Sequence, residues 1–406
     1  MRERLNKLML PGQYDGRYVA VADGLRALSV LLVAWFHIWQ QSWLNPVLRL
    51  GPVALDFNPI VRTGYMMVDM MLLLSGFLLF LPYARSRVSG EPLPDTRTYF
   101  IRRALRILPS YLLCVFVTLF VYALPGRQYG SARHFLLDFL GHLTFTHNLT
   151  YEGYVGTRLN GVLWTLAVEV QFYVVAPALG RAFVKKPVPT YLIMVAVAMV
   201  YRFVYVAGMS DTALYFNRLP AMLDVYANGM MAAWAYAALQ KRMKPRWWKA
   251  LGAAAVCVAA LAGMWLLMEQ QSYRSGIEGI RMGQMVYRFP LSALGGVFLL
   301  AGSQAPRWFQ WLWNNRLIRF FSAISYNFYI WHSHLALRLR AWHIPPYTSE
   351  MPQRDGEMPW QLHYTLLCFA AALALAALLT YTWEKPLSRL GAELFLRRGK
   401  HDKKSH

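Results

Sequence analysis

Of 406 residues, 57% are hydrophobic and only 15% charged, while 42 Lys and Arg against 20 Asp and Glu give a formal net charge of +22. A soluble globular chain carries about a quarter charged residues, so this balance, with a mean hydropathy of +0.29, excludes an ordinary soluble domain and points to a membrane. The three cysteines, Cys114, Cys257 and Cys368, are far apart inside apolar runs, and neither a disulfide framework nor a zinc spacing follows from them.

In chain order, ten apolar runs are predicted as membrane-crossing helices: 20–42, 63–83, 101–124, 161–181, 187–208, 220–240, 250–268, 286–303, 320–339 and 362–383. The chain is therefore read as an all-α polytopic membrane protein with about ten transmembrane helices. With the N-terminus inside, the cytoplasmic connections hold 28 Lys and Arg and the outer ones 10. That bias places both termini in the cytoplasm. The basic excess then reports topology and contact with anionic membrane lipids rather than nucleic acid. The stretch 134–148, "HFLLDFLGHLTFTHN", is apolar but short, and it is expected to be an external re-entrant or interfacial helix. The expected organisation is a cytoplasmic segment 1–19, a membrane domain 20–390 and a basic cytoplasmic tail 391–406. The first span is expected to be retained, since no small-residue cleavage site follows it.

Ionisable groups inside spans are costly and mark candidate sites. In "DGLRALSVLLVAWFH", Arg26 and His37 are eleven residues apart, about 20° from whole turns, so they share one helix face roughly 16 Å apart along the axis. Asp23 precedes Arg26 by three. One stripe thus carries an Asp–Arg pair near the cytoplasmic end and a histidine near the outer end. Asp69, ahead of "SGF", and Glu169, in "WTLAVEVQFY", fall at the same outer depth. A histidine oriented by a carboxylate is the minimal kit for deprotonating a hydroxyl. At the inner side "RRALRILPSY" brings Arg102, Arg103 and Arg106 to helical-neighbour spacing, a cluster suited to phosphates or simply to a positive inner rim. Trp164, and Tyr326 and His332 of "ISYNFYIWHSHL", complete the candidate substrate contacts. His332 and His334 do not share a face, so no metal site is expected. A proton-coupled transporter or flippase is the rival class, because such residues also build relays, but the chain has no repeat of halves.

Together "DGLRALSVLLVAWFH", "VDMMLLLSGFLL", "RRALRILPSY", "WTLAVEVQFY", "ISYNFYIWH" and "WEKP" resemble the membrane acyltransferase 3 family over about residues 20–390. The resemblance implies an O-acyltransferase of a bacterial cytoplasmic membrane. Acyl-CoA, usually acetyl-CoA, would be a co-substrate rather than a tightly bound cofactor. The acceptor would be a hydroxyl of a glycan, glycolipid or small molecule. It further implies that His37 is the essential catalytic residue, accompanied by Arg26, and that Arg103 and Arg106 bind the donor. This chain departs from the family in carrying Glu169–Val170 where two acidic residues are common, and Ala27 where glycine is. The hydrolase-like domain that many members carry is not expected within these 406 residues.

Overall fold

The structure is a computed structural model that describes residues 18–209, 211–242 and 246–397. Of the expected cytoplasmic segments 1–19 and 391–406, residues 1–17 and 398–406 lie outside the described residues. Among the described residues ten long helices run in the order α1 Ala20–Ser42, α2 Val68–Ser89, α3 Thr96–Val117, α5 Trp164–Lys185, α6 Pro187–Val200, α7 Leu223–Arg242, α8 Trp247–Ser272, α9 Ile277–Gln304, α10 Arg316–Ala341 and α11 Met358–Leu379, with a short α4 Ala132–Leu143 between α3 and α5. Eight are long and apolar enough to cross a membrane, several being extended by single turns. The exceptions are α7 and α10, helices of 20 and 26 residues. α7 carries Asp224 and Asn228, and α10 carries Arg316, Arg319, Arg338 and Arg340. The chain is thus an all-α polytopic membrane protein. Among the described residues the only strands are β1 Val47–Leu50 and β2 Val53–Asp56, an antiparallel hairpin in which Leu48 pairs Leu55.

The expected end of the last span near Trp383 is instead a π-helical turn, Thr380–Glu384, from which helix continues through Lys385–Ala392. Pro386 has no N–H to give the preceding turn, and a single wide turn absorbs that loss. The short α4 has 12 residues, about 18 Å at 1.5 Å per residue, too short for a hydrocarbon core of about 30 Å.

The chain forms two compact units. One comprises Met1–Pro92, Leu179–Thr212 and Pro220–Ser325, the other Leu93–Ala178, Ala213–Leu219 and Tyr326–His406. In the first, α2 and α7 approach backbone to backbone. A Cβ on Gly76 would lie 2.6 Å from the Tyr226 carbonyl oxygen, and one on Gly229 only 2.2 Å from that of Leu73. Lipid offers no hydrophobic drive for helix association, so such close packing by small residues supplies it. The "SGF" motif is therefore a packing element.

In the second unit, helix prolines free carbonyls that must be satisfied in a dry interior. Pro109 cannot donate to Leu105, and the Ser388 hydroxyl does so at 2.6 Å. Pro177 likewise leaves the Tyr173 carbonyl to the Tyr99 hydroxyl, at 3.2 Å. These bonds fix α3 against α5 and against the helix Lys385–Ala392.

Candidate functional site

The α1 stripe begins at a polar knot. Asp23 and Arg26 pair at 3.7 Å, and the Ser322 hydroxyl donates to Asp23 Oδ1 at 2.7 Å. Tyr18 places its hydroxyl 2.5 Å from Asp23 Oδ2. The knot satisfies both charges at the start of the helix and ties α1 to α10. Ser322 and Tyr18 have no signature in the sequence, since a hydroxyl marks nothing until its partner is known.

His37 lies further along the same helix, with Nδ1 2.9 Å from the Val33 carbonyl oxygen. A carbonyl can only accept, so Nδ1 carries the proton in the neutral ring and Nε2 is the acceptor. The backbone carbonyl four residues back thus sets the tautomer. Phe36 packs edge-on to the imidazole, with centroids 5.2 Å apart.

Asp69 does not serve His37. Its Oδ1 accepts from Arg288 Nε at 3.1 Å, both side chains being fully buried. Beside them Arg202 pairs with Asp224, again with no exposure of either side chain, and Arg202 also donates to the Met285 carbonyl at 3.1 Å. Two cations and two anions from four helical segments balance inside the first unit. A carboxylate held by a guanidinium is a poor orienter of imidazole, so the expected role of Asp69 is withdrawn. Arg202, Asp224 and Arg288 are not among the expected site residues, although each is a charge inside an apolar run and so carries a signal in the sequence.

Glu169 lies in the second unit and accepts a short hydrogen bond from the Tyr173 hydroxyl, one helical turn on. The Arg103 guanidinium stands 5.8 Å from the centroid of the Tyr173 ring. Arg103 is half-buried, while Arg102 and Arg106 are exposed, so the cluster divides into an outward pair and one inward cation.

The remaining expected contacts are engaged locally. Tyr326 donates its hydroxyl to the Ile107 carbonyl at 2.9 Å. His332 has Nδ1 2.7 Å from the Tyr329 carbonyl, and Trp164 meets Tyr154 edge-on at 6.1 Å between centroids. Among the described residues no group of three His, Cys, Asp or Glu could hold a metal ion.

The polar 134–148 stretch is a buried knot. Asp138 accepts from the Tyr129 and Thr157 hydroxyls and the Arg158 amide at 2.8–3.0 Å. Its backbone carbonyl accepts from His142 Nδ1 at 2.8 Å. His142 and His147 stack with centroids 3.8 Å apart. Burial, and then the neighbouring His142, push the His147 imidazole well below its ordinary pKa.

The chain shares 23% identity over 335 residues with the peptidoglycan O-acetyltransferase OatA of Listeria monocytogenes, covering 79% of this chain and 50% of that protein. It shares 23% over 404 residues with YrhL of Bacillus subtilis, covering 94% and 57%. The chain therefore spans about half the length of the curated relatives it matches. No solved structure matches. The profile of an acyltransferase domain covers residues 19–381, from just before the Asp23–Arg26 knot into the turn Thr380–Glu384; with that match over most of the chain and five of the six motifs inside it, the chain belongs to the acyltransferase 3 family of membrane proteins.

Proposed function

We propose that the chain is a membrane O-acyltransferase of a bacterial cytoplasmic membrane, and by kinship an O-acetyltransferase. It would move the acyl group from acyl-CoA to a hydroxyl of a carbohydrate or related acceptor. What supports the reading most is the His37 imidazole, whose Nδ1–H is committed to the Val33 carbonyl, leaving Nε2 as the basic nitrogen in an apolar span. In this mechanism Nε2 takes the proton of the acceptor hydroxyl as its oxygen attacks the thioester carbonyl. The tetrahedral intermediate collapses, the C–S bond breaks, and the leaving thiolate recovers the proton from the imidazolium. The outward pair Arg102 and Arg106, with Arg103 behind it, would attract the donor's phosphates. The Asp23–Arg26 knot anchors the helix that carries the base. Glu169 is proposed to assist catalysis as a carboxylate, in a secondary role.

The test is mass spectrometry of cell-envelope glycans with and without the gene. Peptidoglycan comes first, because OatA is named for it. Loss of an O-acyl increment from one glycan is expected. Identical O-acyl content in every glycan and small metabolite would reject the reading.

A further inference from the structure

In the second unit, α10 carries Trp331, His334 and Arg338 at i, i+3 and i+7, within about 60° of one another around the helix. Each holds a buried nitrogen with no hydrogen-bond partner among the described residues: Trp331 Nε1, His334 Nε2 and Arg338 Nε. Trp331 and His334 are each only 6% exposed. Tyr122, in the wide turn Thr118–Ala123 that extends α3, ties the stripe together. Its ring meets the His334 imidazole at 4.6 Å between centroids and lies 4.8 Å from Arg338 Cζ. The Trp331 and His334 rings meet edge-on at 6.2 Å. A ring contact answers the charge of the guanidinium but not its in-plane N–H groups, and Arg338 has no carboxylate partner among the described residues. Arg340, two residues on, donates to Gln353 Oε1, so this end of α10 does satisfy a cation where an acceptor is supplied. Buried donors left unmade are costly and rare; three on one helix stripe call for a ligand.

We propose that the Trp331–His334–Arg338 stripe binds an acidic sugar of the acceptor glycan, with the sugar carboxylate on Arg338 and His334 and a further sugar oxygen on the Trp331 N–H. The indole and guanidinium nitrogens can only donate, and the imidazole Nε2 donates in one of its tautomers. An anion rich in acceptors answers all three, through the stronger, charge-assisted kind of hydrogen bond. Seven residues of helix run about 10 Å, beyond the span of a small inorganic anion. The ligand must therefore spread its oxygens along the stripe, as a sugar acid does. The 28-to-10 charge count puts the ends of the α3 extension and of α10 on the outer side, where a cell-envelope glycan would be presented. The inference rests on the proposed acyltransferase reading and gives its acceptor a class: a glycan bearing carboxylates rather than a neutral one.

The test is equilibrium binding to the full-length protein in phosphatidylcholine nanodiscs, which leave both faces open. The probe is the disaccharide of N-acetylglucosamine and N-acetylmuramic acid, with its carboxylate free or as the methyl ester. The free acid should bind at least about tenfold more tightly than the ester. Arg338→Gln should erase that preference and Arg338→Lys should keep part of it, which separates loss of charge from loss of fold. Trp331→Phe should weaken acid and ester alike, because its oxygen is not the carboxylate's. Equal affinity of acid and ester for the parent, or a preference that survives Arg338→Gln, would overturn the proposal. Competition by free lactate as strong as by the disaccharide acid would overturn the sugar, leaving a small-anion site. Displacement by short-chain phosphatidylglycerol, but not by the matching phosphatidylcholine, would overturn it in favour of a lipid head group. Binding is read without turnover, so the two readings fail separately. A parent that prefers the acid but releases no thiol from acetyl-CoA with any acceptor keeps the site and loses the acyltransferase reading.

Discussion

Replacing Arg288 by Met would leave Asp69 as an uncompensated carboxylate at zero exposure. At the observed 3.1 Å, the attraction lost is about 5 kcal/mol for an effective dielectric constant of about 20. Removing one partner of a buried pair costs about 3–5 kcal/mol in practice. Arg288 also donates to the Ala221 carbonyl at 3.4 Å, so the loss should fall in the upper part of that range. Removing both charges together, as Asp69→Leu with Arg288→Met, should recover most of it, because an apolar pair of similar volume needs no desolvation. Reversible unfolding in mixed micelles, followed by tryptophan fluorescence, measures both variants. The reasoning fails if Arg288→Met costs under about 1 kcal/mol, or if the double variant is no more stable than the single one. Asp69 would then owe its place to something other than Arg288.

The other expectations concern chemistry and pH. His37→Ala should cut transfer by about 10²–10⁴-fold with unchanged thermal unfolding. Glu169→Gln should lower kcat by less than His37→Ala; a loss as deep would raise it to equal rank. Arg106→Ala should raise KM for acyl-CoA by roughly 5–150-fold, the equivalent of about 1–3 kcal/mol for a charge-assisted phosphate contact, and added salt should mimic it in the parent. An effect on kcat alone would dismiss the phosphate role. The depressed His147 binds its proton more readily unfolded than folded, so stability falls as pH drops below about 6.5. The slope is at most about 1.4 kcal/mol per pH unit for one proton, and His147→Gln should flatten the stability–pH curve there; an unchanged slope would assign the titration elsewhere.

The helices were legible because apolar length is a one-dimensional property. The ten runs are helices even where α7 and α10 are too polar to pass as spans by composition. That helix continues past the run 362–383 was not legible, because a π turn before Pro386 carries it on. Within the candidate site, the Asp23–Arg26 pair followed from spacing, because both residues sit on one helix. Partners from distant segments did not follow: Asp69 and Arg288 are 219 residues apart, and only packing brings them together. The Val33 carbonyl on His37 was hidden for another reason. Every residue has a carbonyl, so no side-chain pattern announces it.

The central claim is that His37 acts as the base in acyl transfer, and thiol release measures this most directly. Purified full-length protein in vesicles would be given acetyl-CoA with and without solubilised peptidoglycan fragments, and free thiol followed with a chromogenic disulfide. Acceptor-dependent release is expected from the parent, and a loss of at least about a hundredfold from His37→Ala at equal folded content. Undiminished acceptor-dependent release from His37→Ala would contradict the account.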